Sequence, residues 1–202
     1  MIVIGITGGI GTGKSTAAEY LIDKGFALID ADQIGRDLTA EGEPILAEIE
    51  EKFGCVSHDG QKGNGLVLDR KAMADLVFRD NEVKEQFDQL MHQEIISIID
   101  RNISELKKTD ARGILLDAPL LFEANINDRC DVVILIIADM DERIDRVSQR
   151  DDADEEDIRD RINNQMSDEE KAKYADFVID NSGEPEDMFA QLDDIIDYLG
   201  LE

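Results

Sequence analysis

MIVIGITGGIGTGKSTAAEYL, residues 1–21, decides how the rest of the chain is read. Five glycines, Gly5, Gly8, Gly9, Gly11 and Gly13, fall within nine residues, directly after the β-branched run Ile2-Val3-Ile4. Lys14, Ser15 and Thr16 follow, and Ala17-Ala18-Glu19-Tyr20-Leu21 has helical composition. Strand, glycine loop and helix therefore stand in the order a phosphate cradle requires. Gly8, then Gly9, Ile10, Gly11 and Thr12, then Gly13-Lys14-Ser15 fits the P-loop pattern. The glycines let successive backbone N–H groups turn inward toward phosphate oxygens, and the start of the helix adds positive partial charge. Lys14 supplies a mobile cation for the β- and γ-phosphates, and the Ser15 hydroxyl is the expected Mg²⁺ ligand. A tight turn alone would account for Gly8 or Gly13, but not for Lys14-Ser15 at this spacing. The loop reads as a nucleoside triphosphate site.

The 202 residues fit one α/β domain with a lid or helical insertion, and 42% hydrophobic residues suffice for one core. No apolar run approaches the roughly 20 residues that span a bilayer. The first residues read as a strand and not as a signal peptide. Cys55 and Cys130 lie far apart with no metal-ligand spacing, as expected of thiols in a reducing cytoplasm. Forty-eight acidic residues against 21 basic ones give a formal net charge of −27, concentrated in RDDADEEDIRDR. A nucleic acid is a poor partner for such a surface, and no obligate protein partner is indicated. The surplus is either an ordinary acidic surface taken to an extreme or an adaptation to high salt, where screening relieves self-repulsion.

Periodicity and breakers predict strands at Ile2–Thr7, Phe26–Ile29, GILLDA, DVVILIIA and ADFVID. Between them come helices over Lys14–Asp23, to Leu38, from Pro44 to Phe53, from an Asp69 cap to Phe78, and from Asn81 to Leu106. Further helical stretches follow at 141–150 and 155–165, and Pro185 opens a last one. Strands alternating with helices imply a parallel five-stranded sheet flanked by helices. Residues 43–108 show no strand and read as a helical, substrate-side insertion within a single domain over 1–202; residues 139–165 read as a lid.

A GTPase would show an Asn-Lys-x-Asp guanine reader, and the chain has none. It is also short for a motor. Those absences favour a small-molecule kinase. Asp30 and Asp32 close the second strand, where an open α/β sheet exposes its carboxyl ends to ligand. A carboxylate there either accepts the proton of an attacking hydroxyl or caps the following helix.

GITGGIGTGKST, IDAD at the second strand end and DAPLLFEA after the third together resemble the dephospho-coenzyme A kinase family. RVSQRDD, RINNQMSDEEK and ADFVIDNSG extend the resemblance to about residue 185. It implies transfer of the γ-phosphate of ATP to the ribose 3′-hydroxyl of dephospho-CoA, with Mg²⁺ as the accompanying ion. Asp32 matches the family's base, Gly8 to Thr16 hold the triphosphate, and Arg146 and Arg150 are lid arginines. Surface pairing with Asp141, Glu142, Asp145 or Asp151 is the other reading of those arginines. Asp117 either joins the Mg²⁺ shell or simply ends its strand. Leu120, Leu121 and Phe122 either meet the pantetheine arm or pack in the core, and Glu123 is a candidate polar contact. Asn181 and Gly183 lie on the adenine-side turn. Arg70 meets a substrate phosphate or pairs with Asp69 or Asp75. The family's His-Pro is His92-Gln93 here, so the long helix is expected to run on past this point, with His92 packed on its face. Transfer to another nucleoside or nucleotide, or a slow nucleotide-dependent regulatory module, are the competing functions.

Overall fold

A computed structural model describes residues 1–63 and 65–201; Asn64, in the glycine-rich loop, and Glu202 lie outside the described residues. The chain divides into two compact units, residues 1–30 with 102–202, and residues 31–101.

The first unit is built on five parallel strands: β1 (Val3–Thr7), β2 (Ala27–Asp30), β5 (Ile114–Asp117), β6 (Val132–Ile137) and β7 (Phe177–Asp180). Their order is β2-β5-β1-β6-β7. β1 and β5 are buried along their whole length, as strands covered on both faces must be. Parallel register places Ile6 beside Asp117, and Asp30 beside Asp117 from the other side. The carboxyl ends of β1, β2 and β5 therefore finish level. Helices α1 (Lys14–Asp23) and α9 (Pro185–Tyr198) cover one face. Ala17, Leu21, Met188 and Leu192 join Ile4, Ile6, Leu115 and Ile134 in that core. Tyr20 stacks on Phe189 with ring centroids 4.3 Å apart, and Pro185 at the first turn pre-sets the entry of α9. α6 (Met140–Asp151), α7 (Glu155–Asn163) and the single turn α8 (Asp168–Lys171) lie between β6 and β7.

The second unit carries α2 (Ala31–Leu38), α3 (Ile45–Phe53), α4 (Arg70–Arg79) and most of α5 (Asn81–Leu106). Leu46, Ile49 and Ile99 are fully buried there. Phe53 and Phe87 meet edge to face at 5.8 Å. The Asp69 carboxylate accepts from the Ala72 amide and caps α4 as expected. α5 continues unbroken for 26 residues through His92-Gln93.

The stretch expected to lack strands contains a short antiparallel pair, β3 (Val56–Ser57) with β4 (Val67–Leu68). Two residues per strand are too few to display a period. Within the connecting turn Gly60 N–H donates to Gly65 C=O at 2.9 Å, and from outside it Gly42 N–H donates to Leu66 C=O at 2.9 Å, next to β4. The second unit runs from Ala31 to Arg101, so it takes in α2, while the last turn of α5 groups with the first unit.

No helix among the described residues is long and apolar enough to cross a membrane. The cysteines are free thiols, and burial pushes the Cys130 thiol up to about 12, with Asp131 and Asp176 adding to the shift.

With a formal net charge of −27, self-repulsion across the surface works against the compact state. Raising KCl from 0.1 to 1 M shortens the screening length from about 10 to about 3 Å. The thermal midpoint is therefore expected to rise with KCl in a melting series followed by circular dichroism. A flat series would show that the acidic surplus carries no such cost.

Candidate active site

The site grows from the turn between β1 and α1. Gly13 stands at the N-cap of α1 with φ 89°, a left-handed conformation that side-chain-bearing residues rarely adopt. A Cβ at Gly13 would also collide with the Asn181 amide. That amide donates from Nδ2 to the Thr12 carbonyl at 2.8 Å, and the Thr12 hydroxyl donates to the Gly9 carbonyl at 3.0 Å. A glycine cap has no side chain to occupy the first N–H groups of α1, so they remain available to an anion. Ser15 and Thr16 are exposed at this helix start.

Lys14 makes an ion pair and hydrogen bond with Asp117, the last residue of β5. Both side chains are about nine-tenths buried, at 13% and 11% exposure. The register of β1 against β5 brings them together: each is carried past or to a strand end that finishes level with the other.

Across the loop, α6 presents three arginines to three different environments. Arg143 is 5% exposed. It donates from Nε to the Ile10 carbonyl at 2.9 Å and from Nη1 to Asp168 at 3.0 Å. A Cβ at Gly9 would strike this guanidinium, so any side chain there would force Arg143 to shift. Burial lowers the Arg143 pKa against the pull of Asp168; burial raises that of Asp168, while Arg143 and Lys171 draw it back down. Arg146 donates from Nη2 to the Asn181 carbonyl at 2.9 Å and lies 3.6 Å from Glu142. Its Nη1 is buried with no hydrogen-bond partner among the described residues, and so is the Asn181 Oδ1. Arg150, one turn further, is exposed and paired with Asp151, which also receives Arg161 at 3.1 Å. The hydrogen bonds from Arg150 and then Arg161 pull the Asp151 carboxyl down to about 2.

Ile144 and Val147 of α6 pack with Ile158 and Ile162 of α7, and Ile10 of the loop lies against this cluster. The Ile10 amide donates to Gln165 Oε1 at 3.2 Å. The expected lid segment thus touches the loop through apolar and polar contacts together.

Of the apolar residues after β5, Leu121 and Phe122 are buried at 0% and 8%, whereas Leu120 is 47% exposed. Leu121 packs beside Gly5, so its position is the core alternative and not a surface facing a ligand. Glu123 accepts from the Met166 amide at 3.1 Å and lies 3.2 Å from Lys171 Nζ. Gly183 is exposed at the head of α9.

Asp32 and Arg70 belong to the second unit. Asp32 is exposed in the first turn of α2, and its carboxylate makes no side-chain hydrogen bond or ion pair among the described residues. It does not cap the helix through a hydrogen bond. Arg70 donates to the Thr39 hydroxyl at 3.1 Å and pairs with neither Asp69 nor Asp75. His92 lies half-buried on α5.

Arg143 was not singled out in the sequence. Its only local signal is the three-residue step to Arg146 on one helix face; which arginine of α6 turns inward depends on where Ile10 and Asp168 lie.

A phosphate-binding loop on an open parallel sheet, a lysine against a strand-end carboxylate and an arginine-bearing helix over the loop define a P-loop phosphotransferase of small-molecule kinase type. The family model described as dephospho-CoA kinase matches residues 2–187. A dephospho-CoA kinase of Corynebacterium glutamicum is 37% identical over 196 residues, covering 97% of this chain and 96% of its own. Among solved structures, a Thermus thermophilus protein superposes with a TM-score of 0.79 at 33% identity, over 98% of this chain and 97% of its own. The dephospho-CoA kinase of Campylobacter jejuni gives 0.69 at 27%, over 98% and 96%. The chain belongs to the dephospho-CoA kinase family.

Removing one member of a buried ion pair strands the other charge and costs about 3–5 kcal/mol. Arg143→Met is therefore expected to lower stability by about 3 kcal/mol in urea unfolding and to raise the KM for ATP. A variant as stable as wild type, with unchanged KM, would show that Arg143 does not hold the loop.

Proposed function

We propose that this chain transfers the γ-phosphate of ATP to the ribose 3′-hydroxyl of dephospho-CoA, giving CoA and ADP. The observation that carries the reading is the glycine-capped loop with Lys14 held at the end of β5, in a chain that matches the family over residues 2–187. Residues Gly8 to Thr16 wrap the triphosphate, and Lys14 moves from Asp117 to the β/γ oxygens. Arg146 meets the nucleotide with its unsatisfied Nη1, and Asn181 offers its unsatisfied Oδ1 on the adenine side beside Gly183. Arg150 exchanges Asp151 for the transferring phosphoryl group as the lid closes, which neutralises charge and excludes water.

Asp32 is the base. Its carboxylate is exposed and carries no hydrogen bond to spend before accepting a proton. The 3′-oxygen attacks the γ-phosphorus, its proton passes to Asp32, and the bond from the γ-phosphorus to the bridging oxygen breaks to release ADP. On the acceptor side, Leu120 supplies an exposed apolar contact for the pantetheine arm and Arg70 a cation for a phosphate. Leu121 and Glu123 shape that segment from behind.

Magnesium fits the donor set. Ser15 and Asp117 are hard oxygen donors, and among the described residues no group of three His, Cys, Asp or Glu could hold a metal. An ion that keeps most of its positions for phosphate oxygens and water suits such a site. Bound with ATP, it would draw charge from the β- and γ-oxygens. The reaction runs in the cytoplasm, and the acidic surface disfavours nucleic acid as a partner.

Dephospho-CoA incubated with the protein, ATP and Mg²⁺ is expected to gain one phosphate by mass spectrometry. Asp32→Asn is expected to slow transfer by roughly 10²–10⁴-fold with ATP binding retained. Equal rates in the variant would remove Asp32 from the role of base, and no product from wild type would overturn the reaction.

A further inference from the structure

Lys171 ends the single turn α8, and its side chain is 0% exposed. A charge so placed needs partners, because burying an ammonium without them is costly. Its Nζ donates to the Pro119 carbonyl at 2.8 Å and lies 3.2 Å from Glu123 Oε1. The same Pro119 carbonyl accepts the Thr7 hydroxyl, at the end of β1, at 3.2 Å. The same Glu123 oxygen accepts the Met166 amide at 3.1 Å. Four parts of the chain therefore meet around this cation: the end of β1, the turn leaving β5, the α7–α8 connection and α8 itself.

The α7–α8 connection and α8 itself carry two sets of hydrogen bonds that share no residue, while the Lys171 charge also acts on the Asp168 carboxyl. Gln165 and Asp168 engage the phosphate loop through the Ile10 amide and Arg143. Met166 and Lys171 engage the turn leaving β5, through Glu123 and Pro119. The strand ladder holds Asp117 itself beside Ile6, so the Lys171 contacts begin where that ladder ends. They fix the segment Pro119–Glu123, whose exposed member is Leu120.

We propose that Lys171 is a positioning residue for the acceptor: through Pro119 and Glu123 it holds the turn leaving β5 in the shape that binds dephospho-CoA, independently of the contacts that hold the ATP loop. The inference rests on the reaction proposed above. Its signature is a separation of the two substrates. With the phosphate loop held by Gln165 and Arg143, loss of Lys171 frees the acceptor-side turn and leaves the ATP side in place. Displacement of a positioning segment by about 1 Å can cost up to 10²-fold.

The test is steady-state kinetics of Lys171→Met and Glu123→Gln with both substrates varied, alongside thermal melting. Lys171→Met is expected to raise the KM for dephospho-CoA by about 10- to 100-fold, with the KM for ATP near that of wild type. Glu123→Gln keeps an acceptor for Met166 but loses the ion pair, and is expected to shift the same KM in the same direction. It decides the question by the same criterion if Lys171→Met does not fold. Unchanged KM values with only a lower melting temperature would overturn the inference, leaving Lys171 a structural strut. Equal shifts in both KM values would overturn the claimed independence of the two sides. Absence of CoA formation by wild type would instead overturn the reaction and this inference with it, so the two failures are distinguishable.

Discussion

The contact on which the site depends is the ion pair between Lys14 and Asp117. It exists because β1 and β5 are neighbours in parallel register, with Ile6 opposite Asp117, so that the phosphate loop and a strand-end carboxylate emerge side by side. The sheet sets that alignment through backbone hydrogen bonds that no ligand has to provide. The loop then needs only a glycine cap, Thr12 folded back on Gly9, and Asn181 braced on the Thr12 carbonyl to keep its shape. Taken outward from this pair, the fold explains why an apolar sheet with two helices over it can present a polar loop at the carboxyl ends of its central strands.

A second regularity follows from the acidic composition. Every cation around the loop is matched to a carboxylate: Lys14 to Asp117, Arg143 to Asp168, Arg146 to Glu142, Arg150 to Asp151 and Lys171 to Glu123. A chain with 48 acidic residues and 21 basic ones can keep its cations in place this way before an anionic ligand arrives. The pairs divide by burial. The Arg143 and Lys171 side chains are the most deeply buried, at 6% and 0% exposure, and belong to the scaffold. Lys14 is nearly as buried, whereas Arg146 and Arg150 are progressively more exposed, in the order in which the proposed exchange of a carboxylate for phosphate would meet less resistance.

The phosphate loop was legible because its information is local: glycines, Lys14 and Ser15 at fixed spacing need no tertiary knowledge. So were the five strands, whose apolar runs are long enough to read, and the Asp69 cap of α4. Strand order was not legible, since nothing in the residues of β5 says that it will sit between β1 and β2. Neither was the β3–β4 pair, whose two-residue strands carry no period. The arginines of α6 show the limit most clearly. The family resemblance pointed to Arg146 and Arg150, whereas Arg143, the inward-turned member, is selected by the positions of Ile10 and Asp168, which no local pattern gives. Lys171, in the acidic run DEEK, lies fully buried, and nothing local in the sequence marks it.

The central claim is that Lys14 is stored on Asp117 and handed to the phosphates when nucleotide binds. A crystal structure of the protein with Mg²⁺ and a non-hydrolysable ATP analogue tests it directly. The expected result is Lys14 Nζ within hydrogen-bonding distance of the β- or γ-phosphate, with Asp117 released toward the ion's water shell. Lys14 still paired with Asp117, and the triphosphate bound away from Gly8 to Thr16, would contradict it.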